Sequence, residues 1–244
     1  MIDRKLIGDA STEAGARTGI PARFYEKDFY ITAVLRALSE QMPSQFVFKG
    51  GTSLSKAYSL IDRFSEDIDL LVLPDPDTDE QVEHVLDEMT ALALEALGPG
   101  ATYTNLDAVP GNSRRVNLAL PLQTRKASTV SKSIQLEPGR RGAPTPSELR
   151  TVGPLLAGLN LGLTGPDFDS FEVRVLHPTR TLVEKLFATN ELAQGLLADQ
   201  ARPVRSREAR HFYDIARLLG PGSPAIGMLA TPGLLREIVQ DCHA

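Results

Sequence analysis

The stretch Phe46–Leu73, FVFKGGTSLSKAYSLIDRFSEDIDLLVL, constrains this chain more than any other. Phe46–Phe48 is a short apolar run broken by Gly50-Gly51, as expected of a buried strand entering a turn. A helix is predicted from about Ser53 to Asp62. From Asp67 to Leu73 the chain is almost continuously apolar, the pattern of a strand covered on both faces, with two acids at its entrance. The unit therefore reads as strand, glycine turn, helix, strand, and it brings the turn beside the acids. Backbone N–H groups at a glycine turn opening a helix favour an anion, and glycine lets phosphate approach the main chain. Thr52 and Ser53 add hydroxyls, which serve either a ligand or the helix as N-cap. Asp67 and Asp69 project to one face about 7 Å apart at Cα, so their carboxylates can converge on a hard cation. Buried without a partner, such a pair is costly, which favours a metal or basic groups nearby.

The remainder divides around that unit. Residues 1–20 are small and polar with weak periodicity and read as a flexible N-terminal arm. Apolar residues at helical spacing from Phe24 to Met42 predict an amphipathic helix with Lys27-Asp28 on its polar face. A second helix is predicted over Thr78–Leu97, stopped by the GPG at 98–100. Alternation predicts strands over Arg115–Leu120 and Ser131–Glu137, with Glu137 on the face opposite Ile134 and Leu136. Residues 138–170, rich in proline and glycine, read as a long loop and a boundary. Beyond it, Pro178 and the capping-box spacing Thr181…Glu184 predict a helix start, and further helices are expected over Glu208–Leu219 and near Leu234–Val239. In the 208–219 helix, Phe212, Ile215, Ala216 and Leu219 are expected on the packed face. The resulting division is an arm over 1–20, an α/β domain over 21–150 and a mainly helical domain over 151–244.

Charge and cysteine content exclude some classes. The single cysteine, Cys242, permits no internal disulfide and no cysteine-based zinc cluster. His84, His177, His211 and His243 lack metal-ligand spacing and read as surface or packing residues. No run approaches 18 apolar residues and the start MIDRKLIG lacks an apolar leader, so no membrane segment is expected and a cytoplasmic location is the default. The net charge of −5 conceals a polar distribution. Residues 75–95 carry eight acids and no lysine or arginine, whereas residues 114–150 carry eight bases against Glu137 and Glu148. Arg202, Arg205, Arg207 and Arg210 form a further basic segment. By charge alone these are solvated faces.

The motif KGGTSLSKAYSLIDRFSEDIDL resembles the first motif of the AbiEii-type nucleotidyltransferase toxins, including the MenT group, within the DNA polymerase β-like nucleotidyltransferase superfamily. EKDFYITAVLRAL resembles that family's N-terminal helix and SIQLEPGRR its later acid-bearing strand. RTLVEKLFA and RHFYDIARLL resemble its C-terminal helical motifs. The resemblance implies a polymerase β-like α/β (α+β) core with a mixed sheet, followed by a C-terminal helical part. It also implies that Gly50, Gly51, Thr52 and Ser53 contact a nucleoside triphosphate, that Asp67 and Asp69 bind Mg2+, and that Lys185 is a point charge for the triphosphate. Asp214 would orient Lys185 or a substrate group, and Glu137 would be the third carboxylate, a metal ligand and the base toward an acceptor hydroxyl. The implied activity is transfer of nucleotides from NTP to RNA, with the tRNA 3′ end as acceptor, by the toxin of a toxin–antitoxin or phage-defence pair with a cognate antitoxin. The basic segments near Arg114, Arg140 and Arg205 would hold the RNA backbone. Two other readings remain open: transfer to a small-molecule or protein hydroxyl, and a non-catalytic nucleotide- or antitoxin-binding module. Ser65, two residues before Asp67, reads as a turn residue; phosphate there would bring negative charge beside the acid pair.

Overall fold

A computed structural model describes residues 2–73, 78–124, 130–199, 203 and 206–243. Helices α1 (Arg4–Thr18) and α2 (Ala22–Gln41) open the chain, followed by β1 (Phe46–Lys49), α3 (Gly50–Lys56), β2 (Asp67–Val72) and α4 (Asp79–Leu97). Five strands come next: β3 (Thr102–Val109), β4 (Ser113–Ala119), β5 (Ser133–Gly139), β6 (Ser147–Val152) and β7 (Phe171–Leu176). Helices α5 (Pro178–Ala198), α6 (Ser206–Leu218), α7 (Pro224–Gly227) and α8 (Leu234–His243) complete the order.

The strands form one seven-stranded sheet ordered β3-β4-β5-β2-β1-β7-β6. It is mixed: β1 pairs with β7 and β2 with β5 in parallel, while the other neighbours are antiparallel. The expected α/β architecture with a mixed sheet is thus present. Alternation sorts the two faces. Ile68, Leu70, Ile134, Leu136, Val116 and Leu118 are fully buried in the main core with α2 and α4, which sends Asp67, Asp69, Gln135, Glu137, Arg115 and Asn117 to the other face.

Several expectations are corrected. The loose arm is instead helix α1, capped by Asp3 and packed on α2 through Ile7, Ala10 and Ala14. Weak periodicity there reflects a contact made by small side chains rather than by a stripe of large ones. Lys27 and Asp28 are 0% and 3% exposed, not on a solvated face, because α2 is covered on nearly all sides. Helix α3 begins at Gly50 and ends at Lys56, earlier at both ends than expected.

The segment 138–170 contains β6, and β6 and β7 belong to the same sheet as β1, so the sheet runs through the expected boundary at 150/151. The 5-residue turn of 3-10 helix at Leu155–Leu159 also lies there. The N-cap of α5 is His177, which accepts from the Thr179 N–H, so Thr181 already lies inside the helix and Glu184 is free of a capping role. In α6 Ile215 packs as expected, against an apolar cluster of Leu54, Ile61, Leu182 and Leu218, but Asp214 and Leu218 are the fully buried residues, and Phe212 and Leu219 are 56% and 51% exposed. The inward side of that helix thus combines an apolar contact with the ion-pair cluster described below. Asp75, Asp77, Arg125, Lys126, Arg202 and Arg205 lie outside the described residues, as does the side chain of Arg207.

Candidate active site

The hairpin of β1 and β2 is antiparallel, with Lys49 opposite Asp69. On the far side of β2 the parallel strand β5 places Gln135 opposite Asp67 and Glu137 opposite Asp69. Three carboxylates therefore share one face of the sheet, two from β2 and one from its neighbour.

The turn between β1 and α3 closes over them. Gly50 has φ of +77°, and a Cβ there would sit 2.0 Å from Asp69 Oδ2. At Gly51 a Cβ would lie 2.6 Å from Arg63 Nη2 and 3.0 Å from Ser65 Oγ. Gly50 is thus required by its backbone conformation and the closeness of the acid strand, while Gly51 leaves room for the Arg63 and Ser65 side chains. Thr52 and Ser53 are 1% and 0% exposed, and their hydroxyls donate to the backbone oxygens of Asp67 and Gly50. The Thr52 hydroxyl secures the turn against β2 and the Ser53 hydroxyl closes the turn on itself, leaving Gly50 and Gly51 to line the cavity.

That cavity, about 240 Å³, is lined on one side by Lys49, Gly50, Gly51, Asp67 and Asp69. Opposite stand Glu184 and Lys185 of α5, and Arg210, His211 and Asp214 of α6. Asp214 is the hub of the helical wall. It accepts from Arg63 at both oxygens, at 2.8 and 2.7 Å, and pairs with Lys185 at 2.8 Å. Although burial alone would raise its pKa, Arg63 and Lys185 hold it below the ordinary carboxylate range. Asp214 is accordingly a positioning residue: it fixes two cations at the rim of the cavity.

Asp69 behaves in the opposite sense. Burial, then the neighbouring Glu137 and Asp67 carboxylates, push its pKa up to about 7, against the pull of Lys49 and Lys185. The donors of Asp67 and Asp69 are hard oxygens, a property that suits Mg2+. Among the described residues no group of three or more His, Cys, Asp and Glu side chains converges at metal-ligand spacing. Glu137 is drawn toward Arg115, Nε to Oε1 at 3.2 Å. Asp67 and Asp69 are the residues that would hold a cation, with Glu137 beside them in register.

All the residues expected at the site, Gly50, Gly51, Thr52, Ser53, Asp67, Asp69, Glu137, Lys185 and Asp214, lie in or against this region of the fold. Lys49, Arg63, Glu184, Arg115 and His211 were not foreseen there. Lys49 had a partial signal, since it adjoins the glycine turn, but its place opposite Asp69 follows from the strand register. Arg63 had none, because its partner is 151 positions away in sequence. The basic segment at Arg114 is corrected: its guanidinium is taken by Glu83, at 2.6 Å, and by Asp87 of the acidic helix α4. Those acids raise its pKa further although partial burial opposes them.

A family model for the nucleotidyl transferase AbiEii toxin of type IV toxin–antitoxin systems matches residues 34–243. The chain belongs to that family. The family is one of nucleotidyltransferase toxins, and the matched span contains both walls of the cavity. Among solved structures it is similar to MenT4, a nucleotidyltransferase toxin from Mycobacterium tuberculosis H37Rv, at 19% identity and a TM-score of 0.47, covering 100% of this chain and 99% of that one. No curated protein matches it. Among the described residues no helix is long and apolar enough to cross a membrane.

Proposed function

We propose that this protein is a magnesium-dependent nucleotidyltransferase that moves a nucleotidyl group from an NTP to RNA, at the 3′ end of tRNA, and that a cognate antitoxin restrains it. The observation that carries the reading is that Asp67 and Asp69, with Glu137 beside Asp69 in register, stand at a cavity whose opposite wall presents Lys185, with Arg63 at its rim. Gly50 and Gly51 let the triphosphate approach the main chain, and Lys185 and Arg63, steadied by Asp214, meet its negative charge. Bound Mg2+ on Asp67 and Asp69 would supply Lewis-acid neutralisation at the reacting phosphate. Glu137 takes the proton of the acceptor ribose hydroxyl, whose oxygen bonds to the α-phosphorus as the bond to the bridging β-phosphate oxygen breaks and pyrophosphate departs. Arg115 and Arg140 of the β4–β5 side and the exposed Arg141 lie where an RNA backbone would enter, and contacts of that kind weaken with salt.

The test is incubation of the purified protein with tRNA, Mg2+ and each labelled NTP in turn. Label should appear at the RNA 3′ end and vanish with EDTA or with Asp69→Asn; Glu137→Gln should lower the transfer rate by about 10²–10⁴-fold. Transfer unaffected by Asp69→Asn would overturn the assignment, and label on a protein or small molecule alone would move the acceptor away from RNA.

A further inference from the structure

The acid-bearing face of the sheet is sorted into two rows that cross the strands. Register sets the first as Lys49, Asp69 and Glu137, which Arg115 extends by its contact with Glu137. Every member of this row is charged. The second row begins at Asp67 and continues through Gln135 to Asn117, paired in register across β2, β5 and β4. After its acid this row is neutral.

Gln135 and Asn117 line a separate chamber of about 220 Å³ with Ser131, Ser133, Glu66, Asp67 and Arg210. Asp67 and Arg210 also line the cavity described above, so the two spaces adjoin at the metal-binding acid. The chemistry of the second differs from that of the first. Glu66 is engaged with the buried Lys27; apart from Asp67 and Arg210, which the two spaces share, the remaining groups are two amides and two hydroxyls. Ser131 Oγ and Ser133 Oγ lie 2.8 Å apart. Gln135 Oε1 is buried with no hydrogen-bond partner in the protein, an acceptor left unsatisfied at a residue that lines the chamber. An unsatisfied buried acceptor beside a polar chamber is costly unless a ligand completes it.

A side-chain amide carries a donor and an acceptor side by side, the pattern that matches a nucleobase edge and that a phosphate, which only accepts, cannot use fully. We propose that Gln135 and Asn117, supported by Ser133, form a base-reading subsite that hydrogen-bonds the edge of a nucleobase while its phosphate lies at Asp67 and Asp69. The inference rests on the nucleotidyl-transfer reading above. The base belongs either to the incoming NTP or to the terminal nucleotide of the acceptor, and the chemistry of recognition is the same.

Two arms separate these sources in the wild type, in Gln135→Leu and in the double variant Gln135→Leu/Asn117→Leu. In the first, equilibrium binding of the four NTPs is measured with Mg2+ and no acceptor, beside inorganic triphosphate. In the second, transfer is measured to RNAs that differ only in their terminal base. The wild type should favour one base by about tenfold or more in one arm, and the double variant should bring that preference to within about twofold. Affinity for inorganic triphosphate should stay unchanged, which also shows that the variant is folded. Loss of preference in the NTP arm assigns the subsite to the donor, and loss in the RNA arm assigns it to the acceptor. Preference retained by the double variant in both arms, or absent from the wild type in both, overturns the subsite. Transfer that still depends on Asp69 in that event leaves the proposed function standing, so the two failures are distinguishable.

Discussion

At the scale of single residues, the site depends on atoms that are missing as much as on those present. Gly50 holds φ of +77° directly against Asp69, with a would-be Cβ 2.0 Å from its Oδ2. Gly50→Ala is expected to cost about 1–2 kcal/mol from the left-handed backbone alone and to displace the Asp69 carboxylate. Denaturant unfolding should show the first effect. A fall in transfer rate larger than the stability loss explains should show the second; unaltered transfer would mean that Asp69 is not held by this contact. The sequence marks Gly50 and Gly51 as a turn and an anion site. It contains no sign that the space for a side chain is taken by the acid itself, since that follows from the hairpin register. Thr52 and Ser53 illustrate the same limit, because their hydroxyls are equally suited to a ligand or to the backbone, and packing of the turn on β2 selects the backbone.

Among elements, the start of α5 shows a local signal read one turn too late. The spacing Thr181…Glu184 fits a capping box, yet the helix is capped by His177, whose Nδ1 accepts from the Thr179 N–H at 3.2 Å. The cap requires a neutral ring, and burial lowers the His177 pKa below its ordinary 6.5. A folded-state value below the unfolded one means that the stabilisation is complete above pH 6.5 and is lost as pH falls through the lowered value. His177→Ala is expected to cost about 0.5–2 kcal/mol at neutral pH. His177→Asn, which caps without titrating, should flatten the decline in unfolding free energy below pH 6.5. A slope identical to that of the wild type would place the titration elsewhere. Helix α6 carries the complementary lesson: its apolar residues are legible in the sequence, but that its inward side also buries Asp214, bound to Arg63 and Lys185, is not.

At the scale of the molecule, α2 joins the two ends of the motif with consecutive charged residues. Lys27 pairs with Glu66, the residue before Asp67, and Asp28 pairs with Lys56 at the end of α3 at 2.5 Å. Asp28 also accepts from the Leu155 N–H at 2.7 Å, tying in the chain after β6. Asp28 and Lys56 are both 5% exposed as side chains, so Asp28→Ala strands a buried ammonium and is expected to destabilise the fold by about 3–5 kcal/mol. Pairing Asp28→Ala with Lys56→Met should recover much of that loss in thermal or denaturant unfolding. No recovery would show that the Leu155 N–H contact carries the effect.

The sequence by itself determined the strand–turn–helix–strand unit, the acid pair and the glycine turn, and its resemblance to the family pointed to Lys185 and Asp214 in the C-terminal helices. Each is written in neighbouring residues with a characteristic period or spacing. Tertiary structure alone decided that Lys27 and Asp28 are buried, that Arg63 reaches Asp214, that β6 and β7 extend the sheet past an expected boundary, and that Gln135 and Asn117 stand in line with Asp67. These relations join positions distant along the chain, and only strand register and helix packing bring them within the few ångströms at which charges and hydrogen bonds act.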